Sequence, residues 1–232
     1  MSNENAFHAG LLVYPKLTQL DMTGPYEVLN RMPGARVHVI GRTADPVVSE
    51  HGLPITPTVS FSTCPALDLL IIPGGFGVND LLLDAKTLAF VKRMAESARY
   101  VASVCSGSLV LGAVGLLDGK RATSHWMSVE FLEAFGAIPT RERVVIDGKI
   151  MTGGGVTAGI DLALTVVMEV SGREVAAEIQ LEIEYDPAPP MDAGSPEKAG
   201  PAPENAIRSR WADSHQERRA LVEKAAAART SH

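Results

Sequence analysis

Two residues of this chain have side chains that can attack and protonate a small electrophile, Cys105 and Asp21, and Ser106 sets a hydroxyl beside the first. Cys105 lies in VASVCSGSLVLGAVGLL, from Val101 to Leu117, where a short apolar run ends in a cysteine and a helical pattern punctuated by Gly and Ser follows at once. A side chain on a sharp strand-to-helix turn stands out at the sheet edge, and such a turn needs small neighbours. Ser103, Ser106, Gly107 and Ser108 supply them. A helix beginning at Ser106 is expected to aim free N–H groups and its positive dipole end at the sulfur, which favours the thiolate, the reactive form. Free cysteine is also among the most buried residue types, so packing is the alternative. The company of this cysteine favours the nucleophile. Cys64, in FSTCPALD, has no such company and reads as structural.

A cysteine nucleophile needs a partner for proton transfer. No histidine follows Cys105 directly. His125, in RATSHW, is one candidate, with a hydrogen-bonded core position as its plainer reading. Asp21, in KLTQLDMTGPYEVL, is the other: apolar residues flank it, so a carboxylate there needs a reason, and helix capping is the simple one. Only a parallel sheet that sets both residues at its carboxyl edge brings Asp21 to Cys105. At that edge Pro73-Gly74-Gly75 forms a second turn, whose Gly74 and Gly75 N–H groups, with that of Ser106, are candidates to bind substrate or a developing anion.

The elements that must position these groups alternate along the chain. Apolar runs at Gly10–Tyr14, Ala35–Ile40, Leu67–Ile72 and Tyr100–Val104 read as strands, the third continuous enough for a buried parallel position. Val47–Val59, broken by Gly52, Pro54 and Pro57, reads as short strands and turns. Thr23-Gly24-Pro25 reads as a helix start, with further helices at Leu81–Ala98, Ser106–Leu117, His125–Phe135, Val156–Val170 and Arg173–Ile183. Asp147-Gly148 centres a hairpin of Arg143–Ile146 and Lys149–Thr152. The expected fold is a flavodoxin-like, doubly wound, mainly parallel α/β sheet with helices on both faces. The expected organisation is an α/β domain over 1–185 and a Pro/Ala-rich wrap with a helical tail over 186–232. In that tail Ile207, Trp211 and Leu221 dock an otherwise solvated helix.

Composition narrows the classes. The chain has 232 residues, 46% of them hydrophobic, enough for a sizeable core. A net charge of −6 speaks against a nucleic-acid partner. Two distant cysteines suit a reducing compartment, and the polar start MSNENAFHAG lacks the features of a signal peptide. The most apolar late segment, Val156–Val170, is interrupted by Asp161 and Glu169, so no membrane association is expected and a cytoplasmic location is. GLLDGKR has Val114 where a phosphate loop needs Gly and Arg121 where it needs Ser or Thr; PGGFG lacks the second half of a dinucleotide fingerprint; the histidines lack zinc-site spacing.

The acidic Asp21 after the first strand, PGG at Pro73–Gly75, VCSG at Val104–Gly107, GLLDGKRATSHW at Gly115–Trp126 and GGGVTAGIDLAL at Gly153–Leu164 together resemble the ThiJ/PfpI superfamily over residues 8–185. Asp21 replaces the more frequent Glu there, and Ser106 the Ala or His that often follows the cysteine. LDxxGPxE, CSG, ATSHW and GGGVTAGID are most similar to the isocyanide hydratases of that superfamily. The resemblance implies water addition to an isocyanide, with the roles of cysteine, adjacent hydroxyl and aspartate carried by Cys105, Ser106 and Asp21. It implies no metal and no organic cofactor, and a homodimer. The other classes weighed are a glyoxalase-like hydratase or peptidase of the same superfamily, a ligand-sensing domain related to AraC-type regulators, and a redox-sensing thiol. Trp126, Phe76 and Tyr26 are the candidate pocket-lining residues.

Overall fold

Seven strands form one sheet, and its order explains where the chemistry collects. In the computed structural model, which describes residues 6–230, the chain runs β1 (Phe7–Leu12), α1 (Gln19–Leu29), β2 (Ala35–Gly41), β3 (Val47–Val48), β4 (Pro54–Ile55), β5 (Val59–Ser60), β6 (Leu69–Ile72), α2 (Val78–Leu81), α3 (Ala85–Ser97) and β7 (Tyr100–Val104). A single 3₁₀ turn (Cys105–Gly107) leads into α4 (Ser108–Ala113). Then come β8 (Arg121–Ala122), a 3₁₀ segment (Val129–Phe135), β9 (Ile138–Pro139), β10 (Val144–Asp147), β11 (Ile150–Gly153), α5 (Ala158–Ser171) and α6 (Arg173–Glu182). The last elements are α7 (Pro196–Ala199), α8 (Pro201–Arg210) and α9 (Ala212–Thr230).

The main sheet has the order β10-β11-β7-β6-β1-β2-β5, parallel throughout except for β10, which pairs antiparallel with β11 around the Asp147-Gly148 turn. The chain leaves β1 toward β2 on one side and resumes at β6 on the other, so the strand order reverses between β1 and β6. Ligands of doubly wound sheets bind beyond the carboxyl ends at such a reversal. β6 is buried along its whole length, as its unbroken LLII predicts. Right-handed crossovers then force helices onto both faces: α1 packs on α5, while α4 packs on α3 and α9.

Several boundaries differ from the expectation, each for a local reason. α1 starts at Gln19 and carries Pro25 in its interior, so Asp21 lies in the first helical turn rather than ahead of the helix. The expected long helix after Cys105 is a 3₁₀ turn plus six residues, ended near Gly115, whose φ is +82°. His125–Phe135 is a turn followed by 3₁₀ structure, not an α-helix. The helix expected over Leu81–Ala98 is divided into α2 and α3, and Asp84 caps the second through the Lys86 N–H. The tail breaks at Trp211 into α8 and α9, and the stretch expected to be an extended wrap already contains α7 and the start of α8. Val222 and Ala225, both buried, fasten α9 to the core. Among the described residues no helix is long and apolar enough to cross a membrane. Met1–Asn5, part of the segment tested for a signal peptide, lies outside the described residues.

Candidate active site

Three consecutive strands at the reversal deliver the three predicted groups. Asp21 follows β1 by way of the first turn of α1, the Gly74-Gly75 turn follows β6, and Cys105 follows β7. Cys105 has φ +58°, a left-handed conformation that residues with a Cβ adopt rarely and that persists only where the surroundings impose it. Those surroundings are hydrogen bonds: the Cys105 N–H donates to the Gly154 carbonyl at 2.7 Å, and the Cys105 carbonyl accepts from the Ser124 and Ser108 hydroxyls at 3.0 and 3.3 Å. The side chain is left 7% exposed, at the floor of a cavity of about 320 Å³.

The Gly74-Gly75 turn is fixed from all sides. The Tyr14 hydroxyl donates to the Pro73 and Gly74 carbonyls, and the Thr18 N–H donates to the Gly74 carbonyl. A Cβ on Gly74 would lie 2.6 Å from the Ser106 nitrogen and 2.8 Å from the Cys105 Cβ, so the two turns touch only because this residue is glycine. Gly75, at φ +128°, needs glycine for its backbone as well. Both N–H groups of the turn are engaged inside the protein. Gly74 donates to Asp21 Oδ2 at 2.9 Å, and Gly75 donates to Ser106 Oγ at 3.1 Å. The N–H groups that reach the sulfur are those of Ser106 and Val156.

Asp21 is fully buried, and Oδ1 has no hydrogen-bond partner of good geometry. Burial raises its carboxyl to about 7; the bond from Gly74 and the Cys105 thiol beside it pull downward without winning. Cys105 is pushed up as well, first by burial and then by the Asp21 carboxylate, with the Ser106 and Val156 N–H groups and the more distant Arg218 opposing. Burial thus pushes the thiol in the direction opposite to the expected lowering. The helix behind the cysteine is too short, and the sulfur too dry, for dipole and N–H groups to offset desolvation. Asp21 and Cys105 form a coupled acid pair, whose titration steps belong to the pair rather than to either residue.

His125 lines the same cavity, yet burial lowers it to about 4, and its Nδ1 accepts from the Met127 N–H at 3.3 Å. It is a neutral wall residue near pH 7. Trp126 and Phe76 line the cavity as well, whereas Tyr26, on α1, packs against the core away from it. Cys64 is half-buried on a loop, outside the cavity.

The far wall comes from a part of the chain that the sequence reading assigned no chemistry. Ile207 and Trp211 stand at the α8–α9 junction, Trp211 packing on Phe76 with ring centroids 5.1 Å apart, and Arg208 lies over the Trp126 ring at 4.8 Å. From α9, Arg218 reaches Asn79 Oδ1 at 2.8 Å, the Gly75 carbonyl at 3.1 Å and Ser128 Oγ at 3.3 Å. Glu50 also borders the cavity and accepts from the Thr18 hydroxyl at 2.9 Å. The aromatic character of Trp211 was a usable signal for this wall; nothing local marks Arg218 among the charged residues of α9.

This arrangement can attack a small apolar electrophile, supply and remove one proton, and exclude bulk water. Residues 8–169 match the DJ-1/PfpI family. Isonitrile hydratase of Pseudomonas putida is 50% identical over 222 residues, 96% of this chain and 97% of the relative. The HTH-type transcriptional regulator GbdR of Pseudomonas aeruginosa is 29% identical over 192 residues, 79% of this chain but 52% of the regulator. Among solved structures, a ThiJ/PfpI family protein from Pseudomonas syringae superposes with a TM-score of 0.91 at 43% identity, covering 94% of this chain and 91% of its own.

Proposed function

We propose, from the premise that the chain belongs to the DJ-1/PfpI family, that it adds water to an isocyanide to give an N-substituted formamide through a thioimidate on Cys105. The observation that carries this reading is the coupled pair itself. A buried thiol and a carboxyl raised to about 7 share one cavity floor, in a chain half identical to an isonitrile hydratase along nearly its whole length.

Near neutral pH the productive form of the pair holds a single proton. As the sulfur attacks the terminal isocyanide carbon, the thiol proton passes to the Asp21 carboxylate, and Asp21 delivers it to the same carbon. A C–S and a C–H bond form, and the product is a neutral thioimidate. Asp21, ionised again, takes a proton from a water as its oxygen adds to that carbon, and returns the proton to the substrate nitrogen. Collapse of the tetrahedral adduct breaks the C–S bond, leaves the formamide, and gives the hydroxyl proton back to the pair. Isocyanide and water are consumed in equal amounts.

The unpartnered Asp21 Oδ1 is the atom placed for both transfers, because Oδ2 is tied to Gly74. Ser106 orients the adduct through its hydroxyl and, with Val156, offers N–H groups to charge at the reacting centre. Gly74 and Gly75 serve the reaction through the groups they hold, Asp21 and Ser106. The enzyme so described acts in the cytoplasm on a small-molecule substrate, as a homodimer.

Incubation with an aryl isocyanide, following formamide by mass spectrometry, tests the reading. Cys105→Ala and Asp21→Asn are expected to lower kcat/KM by about 10³-fold or more. Turnover that survives in Cys105→Ala sinks the covalent route.

A further inference from the structure

Two arginines of the tail pair with carboxylates, whereas Arg229 bonds only carbonyls. Arg208 pairs with Glu204 and Arg219 with Glu130, each at 2.8 Å. Arg218 is half-buried and has only neutral hydrogen-bond partners: an amide oxygen, a carbonyl and a hydroxyl. Among the described residues no carboxylate lies within ion-pair distance of it. The acidic groups around it act from beyond ion-pair distance. Glu50, on the same cavity, accepts from Thr18, Asp21 accepts from Gly74, and Glu50 and Glu217 act on Arg218 from beyond ion-pair distance. A desolvated cation is ordinarily matched by an anion. A guanidinium has five N–H donors, and three are used here, so two remain for a ligand.

The cavity that this cation and the Cys105 sulfur both line is walled by Phe76, Trp126, Trp211 and Ile207. The walls suit an apolar body, and the cavity presents two unlike polar features: a thiol with its carboxyl partner, and a guanidinium held against the Gly75 carbonyl. We propose that Arg218 makes this cavity a seat for isocyanides that carry a carboxylate, the guanidinium gripping the acid while the isocyano carbon meets Cys105. The proposal rests on the hydratase reading and names its substrate class. A carboxylate is the matching anion because it accepts two parallel N–H bonds from a guanidinium, which fixes the substrate's direction as well as its place. A neutral isocyanide leaves those two N–H donors without an anion, so the guanidinium adds to selectivity.

The first measurement needs no turnover. Cys105 is alkylated with iodoacetate, an anion, and with iodoacetamide, its neutral analogue; a C–S bond forms, iodide leaves, and the thiol proton passes to Asp21. Peptide mass spectrometry separates Cys105 from Cys64, and the iodoacetate-to-iodoacetamide rate ratio is compared across wild type, Arg218→Lys and Arg218→Gln. The ratio at Cys105 is expected to exceed that at Cys64 by about tenfold in wild type, to persist in large part in Arg218→Lys, and to fall to the Cys64 value in Arg218→Gln. Because both reagents meet the same folded protein, a general loss of stability cancels in the ratio. The second measurement compares kcat/KM for 4-isocyanobenzoate and phenyl isocyanide, whose ratio is expected to fall about tenfold in Arg218→Gln. An unchanged ratio at Cys105, or turnover in the same proportion by wild type and Arg218→Gln, overturns the proposal. An Arg218-dependent alkylation ratio without turnover of either isocyanide overturns the hydratase reading and leaves the anion seat standing.

Discussion

The elbow at Cys105 and the tail from α8 to α9 build opposite walls of one cavity by opposite means. The elbow is made of backbone. Two turns approach until only glycine fits between them, and nearly every carbonyl and N–H there is engaged. The tail is made of side chains, with Val222 and Ala225 packed into the core, Trp211 on Phe76, and one arginine extended into the cavity. A backbone wall fixes positions to a fraction of an ångström and tolerates little change; a side-chain wall can be exchanged residue by residue without unfolding what it faces. The invariant chemistry belongs on the first and the choice of substrate on the second.

The strongest way to test that division is through Asp21. Its carboxyl ordinarily titrates near 4, and in the fold it is raised to about 7. Between those values the folded state binds more protons than the unfolded one, so this residue makes stability fall as pH rises from about 4 to about 7. Asp21→Asn removes the effect. Its stability relative to wild type is expected to rise across that window by roughly 4 kcal/mol at most, read from urea midpoints at pH 4 and pH 8. A constant difference would mean that the elbow does not hold its carboxyl against burial.

Gly74→Ala probes the backbone contact itself. The added methyl has to displace the Ser106 nitrogen or the Cys105 Cβ, at an expected cost of about 2 kcal/mol, or roughly 5 °C in Tm, with kcat falling further than KM rises. Trp211→Ala probes the other wall. It removes half-exposed aromatic surface, and the expected result is a KM about tenfold higher with kcat nearly unchanged. A loss of kcat in Trp211→Ala comparable with that in Gly74→Ala would erase the distinction between the walls.

The same division decides what could be read beforehand. The elbow, the Gly74-Gly75 turn and the β10–β11 hairpin are local chemistry, written in consecutive small residues, and the alternation of apolar runs with helical patterns suffices for a doubly wound, mainly parallel sheet but not for its strand order. Asp21 was legible as a residue but not in its local setting. Pro25 suggested a helix start, whereas α1 accepts it in the interior at the loss of one N–H donor. The raised thiol was misread because a helix dipole is visible in sequence and dryness is not. Arg218 was illegible. It sits in an Ala-rich, highly charged helix where spacing does not say which charge turns inward, and its strongest partner, Asn79, lies 139 positions away in the chain.

Chain order adds a consequence in time. The thiol is in place once Gly154, which holds the Cys105 N–H, has been made, but the part of the helix that brings Arg218 is synthesised roughly sixty residues later, on the order of five seconds at ordinary rates of translation. For that interval the emerging protein carries its nucleophile under an open roof, and any small electrophile in the cell meets it before selectivity exists.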